Sequence, residues 1–112
     1  MKLVKTKQLQ EIGTSHDETI KKKVFIGKDE IPQLMMFGSA VFLPGQKVEA
    51  HVHATMYEVF YIQKGRIDFV IDDKKITVSE GDCITVEAGE VHSQHNNYNQ
   101  EVSWIYFGIA TD

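Results

Sequence analysis

Between Arg66 and Val86 the chain passes through three strand-like segments in about twenty residues, and that density decides what it can fold into. RIDFVI alternates apolar and polar side chains, Asp72-Asp73-Lys74 makes a polar turn, KITV alternates again, and Glu80-Gly81-Asp82 turns into CITV. Segments this short leave no room for helices between them. The same rhythm holds elsewhere. Val24 to Ile26 is a short apolar run bounded by Gly27 and Pro32, and the lysines before it, Lys21 to Lys23, read as a solvated edge. Leu34 to Leu43 reads as a largely buried strand closed by Pro44-Gly45. Val48 to His53, Tyr57 to Ile62, Val91 to Gln94 and Ser103 to Ile109 supply further strands. No sustained helical period and no internal repeat appears. Eight or more short strands predict an all-β sandwich or barrel. Residues 1–18 are weakly patterned and read as an N-terminal arm with a short strand, and residues 19–112 as a single barrel domain.

Composition narrows the partners. With 42% hydrophobic and 25% charged residues in a chain of 112, one globular domain with its own core is expected. A net charge of -4 and a pI near 5.7 offer no basic footprint for nucleic acid or an anionic membrane, and no helix-turn-helix segment is present. Cys83 is the only cysteine, which excludes an internal disulfide and a CxxC metal site; it is expected to be a small core residue in a reducing compartment. No apolar run reaches the length of a membrane span, and MKLVKTKQLQEIG lacks the apolar centre of a secretory signal, so the protein is read as cytoplasmic.

The densest collection of metal-ligand residues lies in Gly45 to Gly65, GQKVEAHVHATMYEVFYIQKG. His51 and His53 are two apart, and in an extended strand they leave the same face, as a shared ion would require. Glu58 has the opposite parity, so it joins them only if the chain turns between; Ala54 to Met56 is where that turn is expected. In the strand that follows, Glu58, Phe60 and Ile62 share one face, and Tyr57, Val59 and Tyr61 the other.

At these residues the chain resembles the cupins. Their first motif is G, five residues, H, one residue, H, three or four residues, E, six residues, G, and Gly45, His51, His53, Glu58 and Gly65 stand at those intervals. The second is G, five residues, P, one residue, G, two residues, H, three residues, N; Gly81, Gly89, His92 and Asn96 fall in register, with Glu87 at the proline position. Fifteen residues separate the motifs, so the chain resembles a compact single-domain cupin. The resemblance implies a double-stranded β-helix, or jelly roll, with a divalent metal inside. Carried over position by position, the implied ligands are His51, His53, Glu58 and His92.

Three imidazoles and one carboxylate suit Zn, Mn, Fe, Ni or Cu, and leave positions on an octahedral ion for water, oxygen or a chelating substrate. Alternation offers Phe60, Ile62, Met35 or Met36, Trp104 and Tyr106 as lining residues; beyond the implied ligands no general base stands out, and candidates such as Tyr106 or Gln94 rest on alternation alone. His95 is expected on the surface or in a loop, His16 to be solvated, Asn96 to fix a turn, and the glycines at 45, 65, 81 and 89 to occupy turns that call for positive φ. The expected function is a metal-binding cupin acting on a small oxygen-rich or aromatic molecule by dioxygenase or isomerase/lyase chemistry, with a non-catalytic binding or sensing barrel as the alternative. Strand faces more apolar than one barrel interior needs suggest a homodimer.

Overall fold

A computed structural model describes residues 1–112. After one 3-10 turn at Thr6–Gln8 come ten strands: β1 (Ile12–Gly13), β2 (Lys21–Ile26), β3 (Leu34–Phe42), β4 (Lys47–His51), β5 (Met56–Lys64), β6 (Arg66–Ile71), β7 (Lys74–Ser79), β8 (Cys83–Val86), β9 (His92–His95) and β10 (Val102–Ala110). They form a six-stranded sheet in the order β1-β2-β3-β10-β5-β8 and a four-stranded sheet in the order β4-β9-β6-β7, antiparallel throughout. This is the jelly-roll arrangement expected of short strands without helices.

Alternation explains which side chains meet between the sheets. Phe60 and Ile62 of β5, Ile67, Phe69 and Ile71 of β6, and Val102 and Trp104 of β10 join Ala40, Phe42, Val48, Val78 and Val86 in one buried cluster. Trp104 is the centre of its aromatic part, with ring centroids 4.6 Å from Phe42 and 5.7 Å from Phe60. Tyr57 and Tyr61, on the other face of β5, remain exposed.

Turn chemistry places the strands. The β6–β7 hairpin closes on Asp72 and Asp73, both at positive φ, as a two-residue hairpin turn requires. Gly45, Gly65, Gly81 and Gly89 all have positive φ. Gly65 is constrained twice, because a Cβ there would also lie 2.5 Å from the Glu101 carbonyl oxygen.

Four details differ from the sequence reading. Cys83 is exposed rather than in the core: it pairs with Tyr61 at the start of β8 and shares that residue's outward side, while Ile84 and Val86 turn inward. β4 ends at His51, so His53 stands in the connecting loop rather than in a strand; the turn covers Ala54 and Thr55, and Met56 already belongs to β5. The strand expected over Val91 to Gln94 runs instead from His92 to His95, leaving Val91 exposed. β2 starts at Lys21, so the three lysines are strand residues, and Lys22 and Lys23 are half-buried.

The polar turn after β9 is anchored by a buried carboxylate. Asp68 accepts hydrogen bonds from Thr77 Oγ1 and the Tyr98 hydroxyl on one oxygen, 2.7 Å each, and from Asn97 Nδ2 at 2.8 Å on the other, where Lys75 Nζ also lies at 3.5 Å. Burial pushes the Asp68 carboxyl up, but the Asn97, Thr77 and Tyr98 donors and the Lys75 charge outweigh it and hold it at about 2. A depressed folded-state pKa adds stability that is present above the unfolded carboxylate pKa and lost as pH falls toward about 2. Asp68→Asn is therefore expected to cost on the order of 2 kcal/mol at pH 7, with the difference from the parent chain shrinking between pH 4 and 2. Urea unfolding across that range checks it; a difference independent of pH contradicts it.

Candidate metal centre

One cross-strand pair builds the centre. In the β4–β9 ladder His51 lies opposite His92, bringing residues from the two motifs side by side with ring centroids 4.2 Å apart. His53 enters from the loop after β4, 5.0 Å from the His51 ring and 5.4 Å from that of His92. Glu58 comes from the opposite sheet, on the inward side of β5 that also carries Phe60 and Ile62. The structure thus brings together all four implied ligands, and no two of their donor atoms are more than 4.8 Å apart.

Backbone contacts set the imidazoles in a ligating tautomer. His51 Nδ1 is 2.8 Å from the Glu49 carbonyl oxygen and His92 Nδ1 is 3.0 Å from that of Glu90. A carbonyl can only accept, so each Nδ1 carries the proton and each Nε2 faces the cluster. Glu58 Oε1 lies 3.2 Å from both His53 Nε2 and His92 Nε2. Adjacent ligands on an ion with bonds of 2.0–2.2 Å sit about 3 Å apart, so the donors stand close to a coordination shell. The chemistry and spacing of the set fit a divalent transition ion. Burial holds His51 below the usual histidine range. At His92 burial acts the same way, but the Glu58 hydrogen bond, the Glu90 carbonyl and the Glu58 charge override it and leave the ring raised.

The loop before His92 shows what Glu87 does at the motif's proline position. Its N–H donates to Glu90 Oε1 at 2.7 Å, and the Glu90 N–H returns to the Glu87 carbonyl at 3.1 Å. A proline has no N–H to give, so here a closed turn does what a fixed φ would do. Gly89 N–H donates to the His53 carbonyl at 2.9 Å, tying this loop to the one that carries the second histidine. Asn96 is fully buried and fixes the far end: its Nδ2 donates to the carbonyls of Phe42 and Gln100, and its Oδ1 accepts from Tyr98 N–H.

Three of the four, His51, His53 and Glu58, line a cavity of about 180 Å³ between the sheets, and His92 lies buried behind them. Met36, Phe42, Phe60 and Trp104 make apolar walls, with Gln94 and Tyr106 among them. Met36 rather than Met35 faces this space, and Ile62, fully buried, packs in the core without lining it. Gly108, opposite Glu58 on β10, leaves room: a Cβ there would meet Met56 Sδ at 2.7 Å. The Tyr106 phenol is pushed up to about 12 by burial and then by the Glu58 charge, so at neutral pH it stays protonated and does not act as a base. His95 lies on the other face of β9 from His92 and takes no part.

His16 was expected to be solvated. It stays exposed on one side, but its ring lies 4.4 Å from His51 and borders the cavity mouth. Burial against this neighbourhood, then the charge of His53, hold it below the usual histidine range, Glu58 only partly opposing them. Nothing in the weak pattern of residues 1–18 signals this position.

Comparison with known proteins agrees with the geometry. The cupin domain family matches residues 38–108, which span both motifs and more than half of the chain. The chain belongs to this family. As a cupin it is 29% identical over 70 residues to an oxalate-binding protein of Thermotoga maritima, a match covering 62% of this chain and 58% of that one. A solved structure from Thermotoga maritima, described as a predicted oxalate decarboxylase, superposes with a TM-score of 0.88 at 21% identity, covering 97% of this cupin and 99% of that chain. A polyketide cyclase from Streptomyces resistomycificus gives 0.82 at 16% identity (100% and 80% covered), and a sugar phosphate isomerase from Silicibacter pomeroyi 0.81 at 17% (98% and 76%). At such identities the structures share the fold, and their differing activities show that this fold serves several chemistries. No helix is long and apolar enough to cross a membrane.

Proposed function

We propose that His51, His53, Glu58 and His92 hold one divalent transition ion, drawn from Zn, Mn, Fe, Ni and Cu, and that the protein uses it to bind a small oxygen-rich ligand. The observation that carries this reading is the convergence of four donors within 4.8 Å, three of them on the wall of a cavity of about 180 Å³. A cavity of about 150 Å³ accommodates a molecule the size of benzene, so the ligand is a small one. An ion held there would offer open positions to ligand oxygens and polarise them. The chain's own residues orient the donors, keep bulk water from the apolar walls and supply a protonated phenol at Tyr106. The name of the oxalate-binding relative supports a small carboxylate as the ligand class.

Turnover would rest on the metal, as dioxygenase or isomerase/lyase chemistry. Beyond the ligands, Tyr106 stays protonated and the Gln94 amide cannot take up a proton, and this favours a second reading in which the barrel binds its ligand without transforming it. The exposed thiol of Cys83 fits a reducing compartment, where we place the protein.

Stripping with chelator and reloading separates these readings. One ion per chain and a raised melting temperature are expected, with His51→Ala losing both; an unchanged melting temperature with every one of the five metals contradicts the metal reading. Oxalate recovered intact after prolonged incubation with loaded protein supports binding, and its conversion supports an enzyme.

We also propose that a second copy covers the outer face of the six-stranded sheet, where Leu34, Phe37, Val59, Ile105, Phe107 and Ile109 form an apolar groove. Phe25, Phe37 and Phe107 make an edge-to-face row on this face, with centroids 5.3 and 6.3 Å apart. Light scattering is expected to give twice the 12.8 kDa chain mass, and Phe107→Lys the single-chain mass with metal uptake retained. A monomer at micromolar concentration contradicts the dimer.

A further inference from the structure

The cavity carries a cation that the metal centre does not use. Lys22 stands opposite Ala40 in the β2–β3 ladder, and Ala40 is an inward-facing core residue. The lysine therefore occupies an inward position at the end of the barrel, half-buried, and borders the cavity together with His16, Thr14 and Ser15. No carboxylate lies within ion-pair distance of its Nζ, whereas Lys2, Lys47 and Lys75 all have acidic partners. The only carboxylate on the cavity wall is Glu58, which already contacts His53 and His92. With a divalent ion in place the lining carries an excess of positive charge, which an anion entering the cavity would offset.

The segment beside Lys22 is held in place rather than draped over the opening. Thr14 N–H donates to the Ile20 carbonyl at 3.0 Å, Thr14 Oγ1 donates to the Asp17 carbonyl at 2.8 Å, and Asp17 Oδ1 accepts from Thr19 N–H at 2.8 Å. Ile20, with no exposed surface, plugs the loop into the core. Gln46 Nε2 donates to the Thr19 carbonyl at 3.0 Å and fastens the loop to the turn before β4. A loop fixed at its base and its flank presents His16 in one place, with little ordering left to lose when a ligand binds.

From this geometry we infer that Lys22 and His16 form an anion-recognising rim: they bind the outer, negatively charged oxygens of a small dicarboxylate whose inner oxygens chelate the metal. The rim selects dianions over neutral-tailed chelators. The inference rests on the metal reading proposed above and deepens it, since it assigns the ligand's charge to residues outside the ligand set. Thr14 and Ser15 contribute polar groups beside the two cationic and imidazole donors.

The test uses the zinc-loaded full chain and two probes, oxalate and acetohydroxamate. Both chelate through two oxygens, but only oxalate carries charged oxygens on its far side. Calorimetric titration is expected to show Lys22→Gln and His16→Gln each weakening oxalate, the lysine change by about tenfold or more, as suits loss of a charge-assisted hydrogen bond. Acetohydroxamate binding is expected to change less than about twofold, zinc content and melting temperature to stay as in the parent chain, and Lys22→Arg to restore most of the oxalate affinity. Equal loss for both probes overturns the rim, because the variants would then act through the metal. So does oxalate binding that is insensitive to Lys22→Gln while zinc and acetohydroxamate still bind, an outcome that leaves the metal reading standing. Failure of the parent chain to take up any of the five metals would bring down both.

Discussion

The pairing of β4 with β9 is the contact on which the site depends. These two strands are far apart in sequence, and their register sets His51 against His92. Both imidazoles then use the same device, an Nδ1–H donated to a carbonyl two residues earlier, to turn Nε2 toward the centre. At the other end of the pair, Gly45 N–H donates to the Asn96 carbonyl and Asn96 N–H to the Gln46 carbonyl, 2.9 and 3.0 Å. The first glycine of one motif is thereby bonded to the last asparagine of the other. A register slip of one residue would turn His92 outward and set Val91 or Ser93 against His51.

Around that pair the fold divides the work between its sheets. The four-stranded sheet contributes the two facing histidines, and the six-stranded sheet contributes Glu58 together with most of the aromatic wall. Coordination would consequently bridge the sheets across the core and would couple ion binding to the packing of Phe42, Phe60 and Trp104. The polar edge comes from a third source, the loop between β1 and β2, whose attachment through Ile20 and Gln46 makes it part of the barrel.

Much of this was legible in the sequence because it depends on local patterns. Alternation in RIDFVI and the paired aspartates gave the β6–β7 hairpin, and the motif intervals pointed to the four residues that the structure brings within 4.8 Å of one another. Parity was a weaker guide where strands end. It placed His53 in a strand, although the backbone leaves the ladder after His51 and the ring still converges from a loop. Cys83 was misplaced because composition speaks for a buried thiol, while its pairing with Tyr61, a non-local fact, turns it outward. His16 and Lys22 were hidden for the same reason: neither belongs to a local pattern, and it is the docking of the β1–β2 loop that brings His16 to the cavity and the β2–β3 register that brings Lys22. The proline position was readable as a substitution, but its compensation by the Glu87–Glu90 turn required coordinates.

The central claim is that both motifs close on a single ion with coordination positions left for a ligand. Crystals of protein reloaded with one metal, measured on both sides of that metal's absorption edge, test it most directly. The account predicts one anomalous peak per chain, bonded to Nε2 of His51, His53 and His92 and to a Glu58 oxygen at about 2.0–2.2 Å, with further positions filled by solvent or an added carboxylate. A peak elsewhere on the chain, or an ion saturated by protein atoms alone, would contradict it.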